Sequence, residues 1–90
     1  PTPIPDWGVQ PAVKAAVIKV STETGIAFSQ FVVTGAVQVD WPDSCLGIYS
    51  GDRACLTAIT PGFLVNMTAA GRQFEAHTNL DGSVIYWFEK

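Results

Sequence analysis

The sequence predicts an α+β fold: one N-terminal helix packed on a four- to five-stranded antiparallel meander sheet, closed by one disulfide. Three observations predict it. Apolar residues recur at a helical period between 11 and 23 and at a period of two from 31 onward. The later apolar runs are separated by turns too short to join anything but antiparallel neighbours. A chain of 90 residues makes one domain, and a helix laid across the sheet is the simplest way to bury one of its faces.

Each element has its own signal. Pro1, Pro3, Pro5 and Pro11 fix φ and delete amide donors, so residues 1–10 read as an extended arm without secondary structure and 11–90 as the folded domain. From Pro11, whose φ suits a first helical turn, Val13, Ala16, Val17 and Val20 fall on one helical stripe and Lys14 and Lys19 off it. Gly25 is the expected left-handed stop, which places the helix at about 11–23. Its β-branched residues, Val17, Ile18, Val20 and Thr22, each resist the helix by a few tenths of a kcal/mol, roughly, so packing must supply the rest.

The period then changes. In FVVTGAVQVDW, Phe31, Val33, Val37, Val39 and Trp41 alternate with Val32, Thr34, Ala36, Gln38 and Asp40, a strand with one wetter face and Gly35 as a candidate bulge. CLTAI (55–59) reads as a second strand, and Thr60-Pro61-Gly62 as a turn into FLVNMTA (63–69). Ala70-Gly71 turns into RQFEAHT (72–78), and Asn79 to Gly82 into SVIYWFE (83–89), whose Val84 to Phe88 reads as an edge strand with an apolar exposed face.

Composition excludes several functions. The chain is 48% hydrophobic and only 14% charged, with a net charge of −3 and its five basic residues scattered, so it has no basic stripe for nucleic acid. No stretch approaches the roughly 18 apolar residues of a membrane span, and the chain reads as soluble. It opens without Met or a charged-then-apolar leader, which points to a removed signal peptide or a domain excised from a longer chain. No GxSxG, HExxH, P-loop or GxGxxG occurs, so no cofactor and no enzymatic activity is expected. Asn66-Met67-Thr68 is a formal glycosylation sequon inside a strand and reads as a chance match.

Cys45 and Cys55 enclose a loop containing Gly47 and Gly51. Two thiols and one histidine do not make a four-ligand structural zinc set, and a thiolate nucleophile needs a base that His77, placed mid-strand beside Gln73 and Glu75, does not supply. The expectation is a disulfide contributing about 3 kcal/mol, and with it an oxidising compartment: extracellular, cell-surface or periplasmic. Asp40, Asp43 and Asp52 could be combined as acid/base groups or calcium ligands, but they lack the alternating D-x-[DN]-x-[DN]-G pattern, so no metal is expected. Asp43 reads instead as an Asx-turn cap for the amides of Cys45 or Leu46, and Leu46 as a plug for the open end of the core.

Trp41-Pro42-Asp43 with Leu46-Gly47, Thr60-Pro61-Gly62-Phe63, and Phe74-Glu75-Ala76-His77-Thr78 with Gly82 form a set of motifs. By these the chain resembles a group of small uncharacterised bacterial exported or lipoprotein domains, over about Val13 to Val84. The resemblance implies export and the α+β fold, and brings no activity with it. A helix on an antiparallel meander is also similar to cystatin and PepSY domains. QFVVTG (30–35) differs from the cystatin Q-x-V-x-G loop by one extra residue, and a paired strand over Gly35 to Val39 would remove that likeness.

Two function classes remain. One is a structural or binding module, contacting a protein partner or a second copy through a low-charge aromatic surface of Trp7, Trp41, Tyr49, Trp87 and Phe88. The arm, apolar and donor-poor, is the expected docking segment in a self-assembling version. The alternative is an inhibitor of a secreted protease, acting through the stapled loop or a cystatin-like one.

Overall fold

Thr2–Pro3 forms a short strand β1, followed by helix α1 (Pro11–Thr24), a 3-10 turn (Phe28–Gln30), and strands β2 (Val32–Trp41), β3 (Thr60–Ala69), β4 (Arg72–Asn79) and β5 (Ile85–Glu89). The structure, a computed structural model, describes residues 2–3, 10–49, 51 and 53–90, with the backbone alone at Thr2 and Pro3. The strands make one antiparallel sheet in the order β1-β2-β3-β4-β5. Thr2 and Pro3 pair with Gln38 and Val37, so part of the arm expected to lack secondary structure extends the chain's own sheet. The remainder of the arm, including Trp7, lies outside the described residues.

Helix α1 forms as its stripe requires. Gln10 is extended at the N-cap with no side-chain bond, Pro11 opens the first turn, and Gly25 ends the helix at φ 77° with its amide on the Ser21 carbonyl. Ala12, Val13, Ala16, Val17 and Val20 are buried against Val65, Met67, Phe74 and Ala76 of the sheet. Phe74 is the centre of this layer, with the Phe31 ring 5.9 Å away and the Trp87 ring edge-on at 5.8 Å. Gly82, at φ 76°, brings the β4–β5 turn onto the start of the helix, where a Cβ would lie 2.9 Å from the Ala12 Cα.

Two parts of the strand reading are corrected. Residues 55–59 form no strand: Leu56 bonds to Ser44 instead, its carbonyl accepting the Ser44 amide and its own amide donating to the Ser44 hydroxyl. Thr60-Pro61-Gly62 is no turn either, but the start of β3, paired with Trp41, Asp40 and Val39. A Pro-Gly pair favours turns whose twist splays a hairpin, whereas proline is tolerated at the first residues of a strand.

The third correction decides what the second sheet face carries. The β2–β3 register shifts between Val33 and Gly35, leaving Thr34 as the extra residue. A bulge moves every later side chain to the other face. Val33 therefore shares the helix face with Met67, and after the bulge Ala36 takes that face opposite Val65. Val37, Val39 and Trp41, expected alongside Phe31 and Val33, turn to the opposite face.

Candidate functional site

That opposite face is covered at one end by the segment between β2 and β3, which folds back over the sheet instead of extending away from it. Cys45 and Cys55 are bonded to each other, with Cα atoms 5.4 Å apart. Asp43 caps the first turn: its Oδ1 accepts the Cys45 amide at 3.0 Å and the Gly47 amide at 3.5 Å, and its Oδ2 accepts the Tyr49 hydroxyl at 2.6 Å. The Tyr49 hydroxyl holds the Asp43 carboxyl below its ordinary range, aided by the backbone amides, and Asp43 in turn raises Tyr49. Leu46, at φ 57°, and Gly47, at φ 77°, carry the chain through a left-handed bend that leucine rarely adopts. The bend buries the Leu46 side chain completely and aims its carbonyl down at the sheet.

His77 receives it. A carbonyl oxygen only accepts, so Nδ1 donates to Leu46 O at 2.6 Å, while Nε2 meets Glu75 Oε2 at 2.6 Å. Lys90 continues the chain, its Nζ 3.4 Å from Glu75 Oε1 and donating to Asn66 Oδ1 at 2.6 Å. Burial pushes the Glu75 carboxyl up, but the bonds from His77 and Lys90 outweigh it and hold the group below its ordinary 4.5. The imidazole is stacked on Trp41, with centroids 4.1 Å apart and planes 15° from parallel, and Phe88 closes its edge.

Trp41 is fixed as firmly. Its indole N–H reaches across β3 to the Thr78 carbonyl on β4 at 2.9 Å. At Gly62, between them, a Cβ would lie 1.8 Å from that same oxygen, so only glycine fits. The motif residues Trp41, Asp43, Leu46, Gly47, Gly62, His77 and Thr78, scattered over three segments of sequence, thus meet in one cluster. A second clasp lies beside it, where the Arg53 guanidinium sits 3.7 Å from the centre of the Tyr86 ring and donates to the Ile48 carbonyl.

This geometry engages His77, the two cysteines and Asp43 in the folding of the loop. Both nitrogens of His77 are engaged, both sulfurs are bonded, and both Asp43 oxygens accept. Asp43, Cys45 and Cys55 place an oxygen and two sulfurs within 4.8 Å of one another, but the sulfurs spend their valence on each other. Asp40 is exposed, and Asp52 lies outside the described residues.

The sequence-predicted contact residues separate accordingly. Trp41 is only 8% exposed and belongs to the interior, because the bulge and the Thr78 bond turn it under the loop. Trp87 is half-buried on the helix-side core and donates to Glu23 at 2.6 Å. Tyr49 and Phe88 are exposed. Leu56 and Ile59, which sequence reasoning assigned to a strand, are the most exposed large apolar side chains described, at 73% and 71%. Their signal was the Pro-Gly pair that follows them, which does not suit a hairpin.

From Val13 in the helix to Trp87 in the last strand, the chain matches one family throughout. It belongs to the family described as a domain of unknown function, DUF8738. The match covers residues 13–87, which takes in every motif residue of the cluster and leaves out the arm. No curated protein and no solved structure matches the chain. The DUF8738 domain here is therefore a helix-on-meander fold whose second sheet face is covered at one end by a disulfide-closed loop.

Proposed function

We propose that this DUF8738 chain is a non-enzymatic, exported binding module whose contact surface is the stapled loop. The observation that carries the reading is that Tyr49, inside the disulfide ring, and Leu56 and Ile59, just beyond it, stand 66%, 73% and 71% exposed on the segment that the disulfide and the His77 bond tie to the sheet. Large apolar side chains held out into water mark contact surfaces, and a loop ordered in advance spares a complex the entropy of ordering it. The disulfide supports an oxidising compartment. The partner is another protein or a second copy of the chain.

A disulfide-closed loop also supports the second reading, inhibition of a secreted protease. The cystatin-like version of it is withdrawn, because Gly35 to Val39 pair with β3 and form no hairpin tip.

The test uses Leu56→Asp with Ile59→Asp. Sedimentation of the native chain and affinity capture from culture medium and cell envelope are expected to reveal a complex that the double variant loses while keeping its melting temperature. Inhibition of a panel of secreted proteases, abolished by the same substitutions, selects the second reading. A complex that survives them overturns both.

A further inference from the structure

A separate feature lies on the helix side. Between the first turns of α1, the 3-10 turn and the start of β2 runs an open groove of about 470 Å³. Val13 and Val17 line it from the helix, and Phe31 and Val33 from the strand side. Phe28 and Val32 line it too, yet remain 49% and 60% exposed, so apolar surface is left in water beside an apolar trough. The remaining lining residue is Lys14.

Lys14 differs from the other basic residues. Lys19 pairs with Glu23 at 3.0 Å, Arg72 with Glu89 at 2.7 Å, Lys90 with Glu75 at 3.4 Å, and Arg53 lies on Tyr86. Among the described residues Lys14 has neither a carboxylate nor an aromatic partner. Among the described residues every other lining side chain is hydrocarbon, offering no donor or acceptor. An occupant must therefore be apolar along its length and anionic at one end. A peptide would leave side-chain-facing polar groups without partners here, whereas an alkyl chain has none to satisfy.

We propose that this groove binds a single fatty acid, with its alkyl chain along the valines and phenylalanines and its carboxylate at Lys14. The volume lies within the range of small-molecule sites, about 300–1,000 Å³. If a methylene takes about the 30 Å³ of a water molecule, the groove of about 470 Å³ holds one chain of roughly fifteen carbons, and not the two long chains of a phospholipid. With a net charge of −3 the molecule has no general attraction for anions, so selectivity for the carboxylate rests on Lys14.

Calorimetric titration of the intact chain with dodecanoate, below its micelle concentration, tests this. Saturable binding of one dodecanoate per chain is expected, at least tenfold tighter than dodecyltrimethylammonium. Lys14→Glu is expected to reverse that preference, and Phe28→Asp to abolish binding of both. Both residues are exposed, and an unchanged melting temperature in each variant shows that the fold is kept. Absence of saturable binding, equal affinity for the two head groups, or a Lys14→Glu variant that still prefers dodecanoate overturns the proposal. So does binding confined to phosphatidylglycerol vesicles, which would make the groove a membrane contact.

Discussion

The helix-side face of the sheet is held by many interchangeable apolar contacts, whereas the loop-side face is held by a few polar groups each in a single position. On the first, Val13, Ala16, Val17 and Val20 meet Val65, Met67, Phe74 and Ala76, and any one contact is supported by its neighbours. On the second, the Leu46 carbonyl, the two nitrogens of His77 and the Trp41 indole N–H each have one partner that serves. The first face supplies stability through burial. The second supplies position, which a displayed loop requires.

Substitution of the helix face is the larger perturbation. Phe74→Ala removes the central ring and is expected to cost about 3–5 kcal/mol, lowering the melting temperature by more than about 12 °C and unfolding both faces together. Calorimetry checks it; a variant whose melting temperature is unchanged would contradict the central place of Phe74 in the core. Opening the staple comes next. Cys45→Ala with Cys55→Ser is expected to cost about 3 kcal/mol, with amide exchange rising more over residues 43–59 than in α1, which follows only the global loss. Alkylation of the unreduced native chain should modify neither sulfur.

Acid sharpens the contrast further. Because folding holds the Glu75 carboxyl below 4.5, its contribution is fully present above that pH and is lost as pH falls through the lowered value. Loop amides should therefore lose protection in acid before helix-side amides do, and Glu75→Gln should reduce that difference. Glu23, Asp43, Asp81 and Glu89 are also lowered, each chiefly by a hydrogen bond it accepts, so some general acid sensitivity remains in the variant. The smallest effect is expected from Tyr49→Phe. It deletes an exposed bond to Asp43, and thermal melts should show no change, since the backbone amides of Cys45 and Gly47 keep the cap.

The two faces were also unequally legible in the sequence. Periodicity marked the helix and its buried stripe because apolar packing repeats with the geometry of the element. Phe63, Val65 and Met67 were legible for the same reason, as was the placement of His77 on one strand face with Gln73 and Glu75. The staple followed from the lack of any other use for two cysteines, and the Asx turn from Asp43 itself. The loop-side cluster was not legible, because it depends on register. The bulge at Thr34 was foreseeable at Gly35, yet its consequence, sending Trp41 to the other face, required knowing which residue was extra. Gly62 looked like a turn residue because its reason for being glycine, the Thr78 carbonyl, belongs to another strand. Leu56 and Ile59 carried strand propensity that nothing in the fold uses.

The central claim is that His77 holds the stapled loop on the sheet independently of the helix-side core. Amide exchange in a His77→Ala variant with its disulfide intact tests it most directly. The account predicts a rise in exchange at Cys45, Leu46, Ile48 and Leu56 that exceeds the rise at Val65, Met67 and the amides of α1, which follow only the global loss of about 1–3 kcal/mol. Unchanged exchange in the loop, or an equal rise across both faces, would contradict it.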